Sequence, residues 1–313
     1  MKKIIVALTF SILGITGFSQ QDQQFSQFMH NKLSFNPGYA GTNGAICAVL
    51  MYRMQWMGFE GAPKSFLFSV DAPSRPLHGG LGLTVIQDQL GNDRSLYARG
   101  AYAWHQPIGG VGVLGIGIGG GMIQKSLIFD WTPPDGPQTV VPDASIPDAR
   151  ESAITYDLDF GLYYTTPKLY VGLASSHLPE QDLKKKQMNF GVARHYFVMA
   201  GYTFDINQDF SVIPNVLIKS DAKSTIFDIN VTGMYQKSIW LGASYRMTDA
   251  IVAMLGYQKE MGKSAIKAGI AYDFTTSDIK NHSNGTPEIV VGYCYKVVPK
   301  QKTQSHINPR FLK

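Results

Sequence analysis

With 313 residues and a formal net charge of +5, the chain carries too small and too scattered a positive excess for a nucleic-acid binder. Charged residues make up 16%, against about 25% in ordinary soluble domains. Together with 32 glycines and 12% aromatics, this balance fits a membrane β-barrel better than a soluble enzyme, and a secreted β-sandwich shares part of the profile.

Residues 1–19 read as an export signal. Lys2 and Lys3 form a charged start, Ile4 to Phe10 begin an apolar core, and Gly17-Phe18-Ser19 places small residues near a cleavage point. The apolar stretch is too short to span a bilayer as a helix, and no cysteine follows it to accept a lipid anchor. No later segment approaches the roughly 18 uninterrupted apolar residues of a transmembrane helix. Residues 20–44 are expected to form a periplasmic or lumenal arm. Pro37, Gly38 and Gly41 break regular structure there, and Phe25, Phe28, Phe35 and Tyr39 supply aromatic anchors.

Residues 45–296 alternate. In Thr155–Tyr164, Thr155, Asp157, Asp159 and Gly161 share one face, and Tyr156, Leu158, Phe160, Leu162 and Tyr164 share the other. A period of two places these sets on opposite sides of a sheet, the apolar aromatic side suited to lipid and the polar side to a lumen. Fourteen strands are predicted, at 45–55, 64–71, 79–88, 95–106, 111–127, 152–164, 168–175, 193–204, 210–220, 225–235, 238–247, 250–258, 264–274 and 288–296. The even count suits a closed bacterial barrel. The longest connections, 128–151, 176–192 and 275–287, all follow odd-numbered strands, while most connections after even strands are brief. That segregation predicts a transmembrane barrel of about fourteen antiparallel strands, with short periplasmic turns, long outer loops and both termini in the periplasm. Residues 297–313 form a C-terminal tail.

The barrel's inner face is predicted to carry Arg53, Arg99, Asp157, Asp159, Asp228, Asn230, Arg246, Lys267 and Asp273. These form either a filling network of ion pairs and hydrogen bonds or a selective lining. Gly110-Val111-Gly112-Val113-Leu114-Gly115 has the spacing of a dinucleotide-binding loop, but it continues as Ile116-Gly117-Ile118-Gly119 without the helix that such a loop requires. Gly115, Gly117, Gly119 and Gly121 instead leave a bare inner strip, against which an internal plug or the N-terminal segment could lie. The seven histidines show no zinc-type spacing, and no nucleophile–base arrangement is evident. No catalytic residue, metal ligand or cofactor is therefore predicted. Cys47 and Cys294 fall on the first and last strands, both facing inward. They are candidates for a disulfide across the barrel seam, or else are two unpaired small apolar residues.

Four short motifs carry a resemblance. Asp22-Gln23-Gln24-Phe25-Ser26-Gln27-Phe28 is followed by Leu33-Ser34-Phe35-Asn36-Pro37-Gly38-Tyr39-Ala40-Gly41. Next comes Tyr52-Arg53-Met54-Gln55-Trp56 with Gly58-Phe59-Glu60-Gly61-Ala62-Pro63, and the chain closes on His306-Ile307-Asn308-Pro309-Arg310-Phe311-Leu312. In this order they resemble the PorP/SprF family of type IX secretion membrane proteins. Gln23 stands where the family usually has proline, and Gly38 where it has alanine. The resemblance implies a non-enzymatic outer-membrane accessory that supports export or cell-surface attachment of a partner such as a large adhesin, with a link to gliding motility. Its implied partners are type IX components, a secreted adhesin and outer-membrane lipid. The alternative is a passive transport barrel for a small or hydrophobic solute.

Candidate residues for partner binding or arm anchoring are Phe25, Phe28, Asn36, Pro37, Tyr39, Arg53, Gln55, Trp56, Trp131, Asn308, Pro309, Arg310 and Phe311. Arg53 and Gln55 are expected to point inward, with Arg53 paired to a lumenal carboxylate or an arm carbonyl. Trp56 is expected at the lipid edge. The proline-rich segment around Trp131 is either a partner surface or a merely solvated loop.

Overall fold

The computed structural model describes residues 22–58, 60–128, 151–185 and 188–297. Residues 1–21, which include the expected export signal, and the segments carrying Trp131 and Asn308, Pro309, Arg310 and Phe311 lie outside the described residues. So does the start of the chain, on which the expected side of the N-terminus depends.

Fourteen antiparallel strands form a closed barrel. In chain order they are β1 (Ala45–Met54), β2 (Lys64–Ser74), β3 (Gly79–Leu90), β4 (Asp93–Ile108), β5 (Gly112–Leu127), β6 (Glu151–Thr165) and β7 (Leu169–Ser176). They continue as β8 (His195–Tyr202), β9 (Phe210–Ser220), β10 (Thr225–Tyr235), β11 (Ile239–Arg246), β12 (Ala250–Met261), β13 (Ser264–Thr275) and β14 (Thr286–Lys296). Each strand pairs with its sequence neighbours, and β1 pairs with β14 to close the wall, with Cys47 opposite Cys294 and Arg53 opposite Glu288. Closure leaves no sheet edge, as a bilayer demands, because an unpaired backbone group there has no water to bond.

The alternation read from the sequence is physically present. Tyr156, Leu158 and Phe160 are exposed on the outer wall, while Thr155, Asp157 and Asp159 are buried inside. On β11 the outward Ile239, Leu241 and Tyr245 alternate with buried Trp240, Ser244 and Arg246. Tyr257, Tyr272, Tyr293 and Tyr295 are also exposed toward strand ends, where aromatic girdles meet the lipid interface. Trp240 departs from the polar-inside pattern. Its ring packs 4.9 Å from that of His30 and occupies the space left bare by Gly256 and Gly269.

Two small elements went unpredicted. Gln181–Lys185 and Met188–Val192 pair as a separate hairpin within the connection between β7 and β8, which had been read as plain loop. Its lysine-rich sequence gave little apolar alternation to detect. Beyond β8, Phe204–Asp205 pairs with Val212 and Ser211 of β9, with Phe204 inside the strand predicted at 193–204.

The 14-strand wall encloses residues 22–44. Two single-turn 3-10 segments, Phe28–His30 and Pro37–Tyr39, give this arm its bends. Asp22 contacts His177, just beyond the end of β7, and its carbonyl meets Lys219 near the end of β9. Gly41 contacts Asp71 of β2 and lies against Gly80 of β3, at the opposite rim. The arm therefore runs the length of the lumen, from the rim with the longest connections to the rim with the shorter turns.

Candidate functional site

The arm is held by a series of contacts whose chemistry changes along its length. Phe25 enters an apolar cluster of Val49, Met51, Leu67, Ile86, Tyr97, Ile123 and Val290 from the wall. Beside it, Ser26 meets the main ionic network. Its hydroxyl accepts from Arg53 Nη1 at 2.7 Å and Arg246 Nη2 at 2.8 Å, and lies 2.8 Å from both Asp273 oxygens, to one of which it donates. One donor and two acceptor positions are all that a hydroxyl offers, so Ser26 is saturated. The Ser26 and Gln27 amides donate to the two oxygens of Glu288, each at 2.8 Å.

Those wall groups also pair with one another. Arg53 bridges Asp273 at 2.8 Å and Glu288 at 3.1 Å. Arg246 bridges Asp228 and Asp273 at 3.0 Å each and reaches Asp249 at 3.2 Å. Arg53, Asp228, Arg246, Asp273 and Glu288 are each 1% exposed or less. Charges that an open lumen would hydrate are here compensated by the arm's hydroxyl and amides.

Phe28 and Phe35 fill a second cluster with Tyr163, Tyr170, Phe197, Met199 and Leu217. Lys32 places its ammonium 3.5 Å from the centre of the Tyr170 ring, a cation–π contact. Burial, aided by the nearby Lys267 ammonium, pushes Lys32 down to about 7. His30 is shifted below its ordinary range by burial and by the Lys267 and Lys32 charges.

The Asn36-Pro37 motif lies on glycine. The Asn36 amide donates to the Leu162 and Leu173 carbonyls of β6 and β7 at 2.9 and 3.3 Å, and its oxygen caps Gly38 N at 2.8 Å. A Cβ on Gly161 would overlap that side chain, and one on Gly115 or Gly117 would overlap the backbone at Pro37 and Gly38. At Gly38 itself a Cβ would sit 2.8 Å from Gly115 O. The Gly115–Gly117 half of the bare strip is thus occupied by the arm's own backbone, whereas a Cβ on Gly119 would meet the Asp159 side chain and one on Gly121 the backbone of Ala98 and Arg99. Beyond it, His105 Nε2 donates to Ala40 O at 2.9 Å and Gly41 N donates to Asp71 at 2.8 Å. Tyr39 packs edge-on against Tyr163, with ring centres 5.2 Å apart.

At the other end of the arm, Asp22 Oδ1 lies 3.0 Å from His177 Nε2, and His177 Nδ1 lies 3.0 Å from Asp157 Oδ2. Burial disfavours the charged imidazole, but Asp22 and Asp157 hold His177 up at about 10. Arg99 anchors the adjoining wall through Asp159 at 3.2 Å and reaches the arm at Ser34 O, 3.1 Å away.

Among the predicted site residues, Phe25, Phe28, Asn36, Pro37, Tyr39 and Arg53 converge on the lumen. Gln55 and Trp56 do not join them. They form the turn after β1, where Gln55 N bonds Pro63 O and Trp56 N bonds Thr286 Oγ1 at positive φ. Cys47 and Cys294 are joined in a disulfide across the seam. Ser26, His177, His195, Asp22 and Glu288 were not singled out by sequence reasoning. Glu288 and His195 lie at the limits of predicted strands, and Ser26 is an unremarkable residue until its two guanidinium partners are known.

A closed barrel with a lipid-facing apolar wall and a lumen packed around its own N-terminal arm defines an outer-membrane β-barrel protein. Two solved channels share that architecture. The CymD monoaromatic hydrocarbon channel superposes with a TM-score of 0.50 at 12% identity, covering 90% of this chain and 96% of that one. The Pseudomonas putida toluene transporter TodX superposes with 0.51 at 11% identity, covering 85% and 94%. At such identities the likeness shows the fold alone. A search of curated proteins returns no match. The family profile described as "Type IX secretion system membrane protein PorP/SprF" matches residues 17–293, and the chain belongs to that family.

Proposed function

We propose that this barrel is a non-enzymatic accessory of type IX secretion that supports export or surface attachment of a partner protein, such as a large adhesin used in gliding. Family membership links it to the secretion system. The observation that carries the accessory reading is the filled lumen, where charged wall residues are spent on the arm's own hydroxyl, amides and carbonyls. A wall so engaged presents its rims to partners, with the rim of the long connections outside and the short turns toward the periplasm.

The test is crosslinking in native outer membranes followed by capture of the tagged full chain. The reading expects type IX components or one dominant large surface protein. A second reading, passive passage of a hydrophobic solute, draws on the fold shared with CymD and TodX and requires the arm to move. Solute flux through the purified wild-type barrel, with no protein captured, would favour it over the accessory role.

A further inference from the structure

Beside the arm's first described residue, three metal-ligating side chains meet from three separate chain segments. They are Asp22 from the arm, His177 from beyond β7, and His195 from the start of β8. Their ligating atoms all lie within 4.8 Å of one another. The two rings stand edge to face with centres 5.7 Å apart.

His177 lies with Nδ1 3.0 Å from Asp157 Oδ2 and Nε2 3.0 Å from Asp22 Oδ1. A ring nitrogen beside a carboxylate, with the opposite nitrogen on the ligand side, is the outer-shell arrangement that orients metal-bound histidines. His195 donates from Nδ1 to the Ala193 carbonyl at 3.0 Å, and the same nitrogen is 4.0 Å from Asp22 Oδ2, while its Nε2 accepts the Asp22 backbone amide at 3.3 Å. His195 would therefore bind through Nε2 once that amide turns away, its ring still held by the Ala193 carbonyl.

We infer that Asp22, His177 and His195 form a binding site for a divalent transition-metal ion of the zinc class, which would latch the N-terminal arm to the barrel wall. Two imidazoles and one carboxylate match the donor set of a three-ligand zinc site, whose fourth position takes water. A small cavity lined by Asp22, Gln23, Tyr97, Arg99 and His177 adjoins the site and could supply that water. The Asp22–His177 contact of 3.0 Å is close to the spacing of neighbouring ligands about 2.0–2.2 Å from a tetrahedral ion, and His195, 4.0 Å from the Asp22 carboxylate, would swing in to complete the set.

The local charge is compatible. Asp22, Asp157 and Asp159 outnumber Arg99 and Lys219, the cations that contact this group. A second grouping, Asp157, Asp159 and His177, is less suited. Asp159 already serves Arg99 at 3.2 Å and the His177 amide at 3.2 Å. The rival reading is that the Asp22–His177 ion pair completes the latch without a metal.

The experiment uses the untagged mature full chain, purified in detergent and stripped with chelator. It is equilibrated with Zn²⁺, desalted and assayed for metal; Co²⁺ replaces Zn²⁺ for a visible spectrum. Wild type should retain about one zinc per chain and give a cobalt d–d band of mixed nitrogen and oxygen coordination. His195→Gln and Asp22→Asn should each weaken zinc binding by at least about tenfold, while both still run as folded, heat-modifiable barrels. Absence of zinc retention or of the cobalt band in wild type overturns the inference, whether or not the variants fold. Zinc retained equally by both folded variants also overturns it.

Discussion

Replacing Arg53 with methionine removes one guanidinium from a site where little can compensate. The side chain is 2% exposed and bonds three groups at once: Asp273 at 2.8 Å, Glu288 at 3.1 Å and Ser26 Oγ at 2.7 Å. Methionine fills a similar space but donates nothing. Asp273 keeps Arg246 and Ser26, and Glu288 keeps the Ser26 and Gln27 amides. The network then holds Arg246 as its only guanidinium against Asp228, Asp273 and Glu288. Breaking a buried ion pair by removing one partner costs about 3–5 kcal/mol, and the lost Ser26 hydrogen bond is not additive with that figure because it shares the same charge. Equilibrium urea unfolding of the detergent-solubilised barrel should show a lower midpoint with an unchanged slope. A loss under about 1 kcal/mol in R53M would refute a network that binds the arm through Arg53.

Further outcomes follow from the arm's other contacts. Gly117→Val inserts side-chain atoms where the Pro37–Gly38 backbone lies; overpacking of about 1–3 kcal/mol should loosen the arm and expose Lys32 to trypsin while the barrel remains heat-modifiable, and an unchanged cleavage rate would contradict the docking. Reduction of Cys47–Cys294, which closes a sequence separation of 247 residues, should lower stability by up to about 5 kcal/mol in the chain-entropy limit. Coincident urea curves for oxidised and reduced protein would deny the seam bond any part in stability. Lys32 titrates at about 7 in the folded protein and near 10.4 when unfolded. The folded state therefore binds fewer protons between those values, and the Lys32 contribution to stability should rise with pH across that window and be flat below it. Urea midpoints compared with Lys32→Met isolate this contribution, and parallel pH profiles for the two proteins would exclude it.

The wall was legible because a barrel strand declares itself locally. In β6, Asp157 and Asp159 alternate with Tyr156, Leu158 and Phe160, and lipid and lumen enforce the same period on every neighbour. The glycine strip of β5 was legible for a related reason, since side chains missing from one face imply a backbone that comes close. The ionic clamp was legible only in half. Arg53 and Asp273 were expected to point inward, but Ser26 gains its importance from Arg246, 220 positions away. The Asp22–His177–His195 grouping is likewise assembled by closure, from histidines whose spacing resembles no linear motif. The β7–β8 hairpin stayed hidden because its pairing is not tied to the alternating wall.

Deleting the gene and comparing surface proteomes of parent and mutant tests the central claim most directly. The account predicts loss of one or a few large surface proteins, or of the wider set exported by the type IX system, and restoration of that loss when the intact gene is returned. A surface proteome indistinguishable from the parent's would contradict a role in secretion or surface attachment.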